Sequence, residues 1–236
     1  KDKIDLFKKL KISSGNHSPS KADILEIDEN CINIDACFLS NPYATDIILD
    51  RISDNLKKID FKELIEPYPP SQSYLLKKIS RFEEINIDNA ILCNGANQGI
   101  EWLMSVLPYK KVILPIPTFS TYYESARKNS EFSFYQLDIE NDFDLNVKDF
   151  SKAIKRENAE LAILINPNNP TGRYLNTVEI DALVGENKEC NFIIDESFIH
   201  FSDDFNNWKK WKDIVIKNND NVIFLKSMSK DFGLAG

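Results

Sequence analysis

Six short apolar runs, separated by stretches of helical periodicity, fill the chain from residue 90 onward. They are "AILC" (90–93), "KVILPI" (111–116), "FSFYQL" (132–137), "ELAILI" (160–165), "NFIID" (191–195) and "NVIFLK" (221–226). Several lack the alternation of a strand with one wet face, as strands covered on both faces do. Between them, "NQGIEWLMSVL" (97–107) sets Ile100, Leu103, Met104 and Leu107 on one side of a helix. "FSTYYESARKN" (119–129) and "NTVEIDALVGENK" (176–188) behave similarly. Strand–helix alternation of this kind predicts a three-layer α/β/α domain around a mostly parallel sheet.

The first 65 or so residues read differently. Asn, Asp and Ser are frequent there, and "DIILDRISDNLKKI" (46–59) is the one helical stretch. "EPYPPSQ" (66–72), with three prolines, marks a boundary. The expected organisation is an irregular N-terminal arm over 1–65 and the layered domain over 66–236.

Charge and cysteine usage narrow the partners. With 29 basic against 37 acidic residues the net charge is −8, which argues against a nucleic acid. No apolar run approaches the roughly 18–20 residues of a membrane helix. Cys31, Cys37, Cys93 and Cys190 form no C-x-x-C pair, and only His17 and His200 accompany them, so no metal site is expected. Cys93 and Cys190 lie in apolar runs and read as reduced thiols, pointing to a cytoplasmic protein. The acidic stretches "DIENDFDL" (138–145) and "SDD" (202–204) read as solvated loops.

In open parallel sheets ligands bind at the carboxyl ends of the strands. The unusual residues of this chain fall there, strand after strand. "NGANQG" (94–99) is a turn that opens a helix, where free N–H groups suit a phosphate. Taken alone it is merely a turn, and the G-x-G-x-x-G fingerprint is absent. Phe119 in "PTFSTYY" offers a ring, although singly it reads as a core aromatic. "NPNNPTG" (166–172) holds Asn169 rigidly as an amide donor, and Asp195 continues an apolar strand into "DESF" (195–198). Asp195 is either a helix cap or a carboxylate awaiting a positive charge. Ser227, Ser229 and Lys230 follow the last run. A phosphate cradle, an aromatic plate, an amide, a buried carboxylate and an amine together suit pyridoxal phosphate.

With "NPNNPTG", "DESFIHF" and "SMSKDFGLAG" in this order, the chain resembles the class I/II aminotransferases of the fold-type-I pyridoxal-phosphate family, on the histidinol-phosphate aminotransferase branch. The resemblance begins at "SNPYA" (40–44) and runs to the last residue. It implies that Lys230 is the Schiff-base lysine and Asp195 the partner of the pyridine nitrogen. It assigns the ring hydroxyl to Asn169, the ring face to Phe119, and the phosphate to Ala96, Asn97, Ser227 and Ser229. Tyr68 would reach the cofactor phosphate of a neighbouring subunit, implying a homodimer with a shared active site. The family's usual Tyr three residues after the aspartate is Phe198 here, which should shift the imine's proton affinity. The resemblance further implies a large domain without its small C-terminal domain, since relatives continue past "GLAG".

The leading expectation is an aminotransferase acting on a small-molecule amino donor and a keto acceptor. Phe198 also resembles the threonine-phosphate decarboxylase relatives, so decarboxylation of a phosphorylated amino acid stands as the alternative. A non-catalytic homologue serving as a binding subunit is a reading of another class, disfavoured because Lys230, Asp195 and Asn169 are all retained. A nucleotide-binding α/β protein is weaker still.

Overall fold

The computed structural model describes residues 3–14, 19–34, 41–58, 60, 62, 66–68, 71–126 and 130–233. The chain divides into two compact units, residues 1–40 and 41–236, so the division falls ahead of the helix that the sequence reading assigned to the arm. The first unit contains helices α1 (Lys3–Ser13) and α2 (Lys21–Ile27). Ser20 caps α2 by accepting from the Asp23 N–H, and Lys3 pairs with Asp28 at 2.7 Å.

The second unit is a layered α/β domain. Helices α3 (Pro42–Leu56), α4 (Gln72–Glu83) and α5 (Gly95–Val106) precede strand β1 (Lys111–Ile116). Next come α6 (Thr121–Ala126), β2 (Glu131–Gln136), α7 (Val147–Glu157), β3 (Leu161–Ile165) and α8 (Thr177–Glu186). Strand β4 (Asn191–Asp195), α9 (Phe205–Asn218) and β5 (Val222–Leu225) complete it. The sheet runs β2-β1-β3-β4-β5, parallel throughout. The order reverses at β1, so the loops after β1 and β3 diverge there, the place where open sheets bind ligands.

Side-chain alternation builds the three layers. In β3, Ala162 and Leu164 join one buried cluster, with Phe150 of α7, Leu183 of α8 and Trp208 of α9. Leu161, Ile163 and Ile165 join the opposite cluster, with Ile100 and Met104 of α5 and Tyr122 of α6. Every residue of β3 is buried, which explains why the strand reads as uninterruptedly apolar. Local signals end the helices: α8 opens on a reciprocal capping box between Asn176 and Glu179, and α7 closes on left-handed Asn158 (φ 49°).

One expected strand is missing. "AILC" (90–93) forms no ladder with any described strand, and Ile91 is 80% exposed. Apolar composition makes a strand only where a neighbour accepts its hydrogen bonds. The tail of the helix expected over 119–129 lies outside the described residues after Ala126, as does Cys37 of the four cysteines. Cys190 is buried, and burial pushes its thiol up to about 12. Among the described residues no helix is long and apolar enough to cross a membrane.

Alternation also splits the Asp195–Glu196 pair between the two faces. Glu196 turns toward α9, where Trp208 Nε1 and Lys212 Nζ each donate to it at 2.6 Å. All three side chains are buried. Lys212→Met is therefore expected to cost about 3–5 kcal/mol, because it strands a carboxylate in an apolar layer. Urea unfolding of K212M and of the double variant E196Q/K212M checks this: the double variant should recover most of the loss.

Candidate active site

Parallel strands put the ends of β1, β3, β4 and β5 on one edge, and their loops are tied to one another. Thr118 Oγ1 donates to Asn168 Oδ1 (3.3 Å), and Asn168 Nδ2 donates to the Pro117 carbonyl (3.1 Å), joining the loops after β1 and β3. Asn166, 1% exposed, clasps Leu175 from both sides: Nδ2 donates to its carbonyl (2.9 Å) and Oδ1 accepts its N–H (2.7 Å). Arg173 ties the same loop to the acidic stretch through Asp142 (3.1 Å) and Asp144 (3.2 Å), so this part of "DIENDFDL" is engaged. The ladder then extends past the strands, with Asn166 N–H to the Asp195 carbonyl and Glu196 N–H to the Leu225 carbonyl, both 2.8 Å.

Asp195 closes β4 at 4% exposure. Its Oδ1 accepts the Ser197 N–H (2.9 Å) and its Oδ2 accepts the Tyr122 hydroxyl (2.8 Å). Burial pushes its carboxyl above the ordinary 3.8, against the pull of the bonds from Ser197 and Tyr122, and the Glu196 charge pushes the same way. Tyr122 is fully buried, and burial together with the Asp195 charge holds its phenol well above 10, so it stays a donor. Sequence reasoning missed Tyr122. The available signal was its place three residues after Phe119, one helical turn on.

Lys230 is half-buried, with Nζ 5.8 Å from the ring centroid of Phe198, three residues past Asp195. Its carbonyl accepts the Asn41 N–H at 3.0 Å. Ser227 is buried and its Oγ accepts the Ser229 N–H at 3.2 Å. Gly233, in the left-handed region at φ 64°, lies so close to α3 that a Cβ there would meet the Asn41 carbonyl at 2.5 Å.

The other candidates surround these. Phe119 and Ala96 are partly buried against the same cluster as Tyr122 and Leu225. The first turn of α5 packs on the end of β5, since a Cβ at Gly99 would lie 3.3 Å from Leu225 Cδ1. Asn97 is exposed on that turn. Asn169 is half-buried and its side chain makes no hydrogen bond to a described residue. Tyr68 stands apart, 97% exposed, and its neighbours Pro69 and Pro70 lie outside the described residues. A cavity of about 200 Å³ beside the loop after β3, lined by Thr118, Asn168, Arg173 and Tyr174 among others, includes neither Asp195 nor Lys230.

An enclosed carboxylate with neutral donors, an amine on the next strand's loop, an amide unengaged among the described residues and a helix N-terminus fit the pyridoxal phosphate set. Comparison with known proteins points the same way. The family profile "Aminotransferase class I and II" matches residues 41–236. An L-serine phosphate decarboxylase of Campylobacter jejuni is 42% identical over 236 residues, covering 98% of this chain. The solved structure of a decarboxylase from Sulfurospirillum multivorans superposes with a TM-score of 0.86 at 35% identity over 98% of this chain. A histidinol-phosphate aminotransferase of Methanocaldococcus jannaschii is 31% identical over 80% of this chain and 49% of its own length. The chain spans about 60% of the length of the two decarboxylases.

Proposed function

Because this chain belongs to the aminotransferase class I and II family, whose cofactor is pyridoxal 5'-phosphate, we propose that it decarboxylates a phosphorylated L-amino acid, L-serine phosphate first among them. The observation that carries the cofactor's fit is Asp195, a carboxylate 4% exposed whose hydrogen-bond donors, Tyr122 and the Ser197 N–H, are neutral. A buried carboxylate is costly until a positive charge joins it, and a protonated ring nitrogen is such a charge.

In this reading Asp195 holds the proton on that nitrogen, and Tyr122 holds Asp195. Asn169 would hold the ring hydroxyl, and Phe119 would hold the ring. The N–H groups at Ala96 and Asn97, with the Ser227 and Ser229 hydroxyls, hold the phosphate. When bound, the cofactor supplies the electron sink for the bond that breaks at the substrate Cα. Lys230 would anchor the cofactor, and its Nζ would be the group that returns a proton to the substrate Cα in place of the lost carboxylate. Which Cα bond breaks depends on how the substrate is oriented.

Two facts favour loss of the carboxylate over amine transfer. The decarboxylase relative is the more similar along nearly the whole chain, at 42% against 31% for the aminotransferase. Phe198 also has no hydroxyl to offer the ring oxygen, and in this it resembles the threonine-phosphate decarboxylase relatives. Amine transfer remains the second reading, supported by the resemblance to histidinol-phosphate aminotransferase. Tyr68 reaching a partner's site belongs to the same proposal, as does the homodimer.

Given O-phospho-L-serine and no 2-oxo acid, the intact protein is expected to release carbon dioxide and O-phosphoethanolamine in equal amounts. Amine exchange that requires a 2-oxo acid, without carbon dioxide, overturns this in favour of transfer. If neither reaction occurs and borohydride fixes no cofactor on Lys230, the binding-subunit reading wins.

A further inference from the structure

The segment that carries Lys230 is gripped from two sides by residues without a role in the reading above. His200 Nδ1 is hydrogen-bonded to Asp231 Oδ2. A carboxylate only accepts, so Nδ1 carries the hydrogen. The Asp231 side chain is 7% exposed, and its other oxygen is buried with no hydrogen-bond partner among the described residues. The imidazole centroid lies 4.1 Å from the Phe205 ring and 6.2 Å from Phe232, which meets Phe82 edge-on at 5.9 Å. These rings flank the imidazole. On the other side, Asn41 donates its N–H to the Lys230 carbonyl (3.0 Å) and its Nδ2 to the Asp231 carbonyl (3.1 Å). The loop after β4 therefore meets this segment at two successive rungs, Phe198 with Lys230 and His200 with Asp231.

We propose that His200 is a positioning residue for Lys230, acting through Asp231; the proposal rests on Lys230 being the residue that bears the cofactor. A lysine side chain is long and flexible, so the place of its Cα decides whether Nζ arrives within bonding distance. Among the described residues, His200 supplies the one hydrogen bond to the Asp231 carboxylate, and that bond holds it inside. Without it the carboxylate keeps no donor among the described residues, turns outward, and the adjoining Lys230 backbone moves with it. Nothing in the sequence marks the pair, which lies 31 residues apart.

The test is the rate at which the full-length protein, stripped of cofactor and then given pyridoxal phosphate, forms an adduct on Lys230 that borohydride can fix. His200→Phe keeps the ring stack and removes the donor. It is expected to slow adduct formation by about 10–100-fold, the effect of an ångström-scale misplacement, and to lower kcat while leaving KM unchanged. His200→Asn puts an amide N–H in the place of Nδ1 and is expected to restore the rate to within about threefold of wild type, since the bond to Asp231 is remade. Asp231→Leu, which has no acceptor, is expected to match His200→Phe, and the double variant should be little slower than either single one. Wild-type adduct formation in His200→Phe, no rescue by His200→Asn, or losses that multiply in the double variant would each overturn the proposal. If His200→Phe does not fold, Asp231→Leu against His200→Asn decides: equal rates sink it. If the wild-type protein forms no adduct on Lys230, the parent reading falls instead.

Discussion

Lys230→Ala is expected to lower turnover by about 10²–10⁴-fold, the range for removing a positioned proton-transfer group. The fold should survive, because among the described residues the half-buried side chain makes no ion pair and its amine lies 5.8 Å from the Phe198 ring. The backbone anchors at Asn41 and Gly233 involve main-chain atoms and are untouched. Unfolding by urea should thus move little while carbon dioxide release collapses. Lys230→Arg keeps the charge but has no free amine at neutral pH, and it should be as inactive as the alanine variant. A small exogenous amine such as methylamine should restore part of the alanine variant's rate and none of the arginine variant's. Alanine-variant turnover within tenfold of wild type would remove Lys230 from the chemistry.

Asp195→Asn should move activity and stability in opposite directions. Turnover is expected to fall by about 10²–10³-fold, in line with losing one preorganised electrostatic contact to the reacting system. Stability of the cofactor-free protein should rise at neutral pH. The reason is the sign of the shift: burial raises the folded carboxyl above 3.8, so over that interval the folded state binds more protons than the unfolded. Stability is then lost as pH climbs from about 3.8 through the raised folded value, and the penalty is complete above it. Asparagine removes that penalty. Its Oδ1 can accept the Ser197 N–H, and its Nδ2 can donate to the Tyr122 oxygen, so each partner keeps one hydrogen bond. Each 1 kcal/mol relieved corresponds to about 2–4 °C in Tm for a chain of this size. A cofactor-free variant that melts below wild type at pH 7, or that keeps full turnover, would contradict the account of Asp195.

The same carboxylate shows how far a sequence can be read. That Asp195 would end a buried strand was legible, because five apolar runs became β1–β5 with ends shifted by at most one residue. That its hydroxyl donor is Tyr122 was not, since the two lie 73 residues apart and meet through the strand order. The run at 90–93 failed for a related reason: its composition suits a strand, yet no described neighbour pairs with it. The site motifs were legible as a set, whereas the amine over Phe198, the Asn168–Pro117 tie and the His200–Asp231 bond depend on loops brought together by the sheet.

The sequence alone determined the layered α/β architecture and the order of the chemistry-bearing loops. Both follow from local periodicity and from residue types next to each strand end, and local covalent geometry is enough to translate these into structure. Only the tertiary structure decided which partner answers each buried polar group: Tyr122 for Asp195, Lys212 and Trp208 for Glu196, His200 for Asp231. A group removed from water must find its donor wherever packing and register bring one, and that demand leaves no periodic trace along the chain.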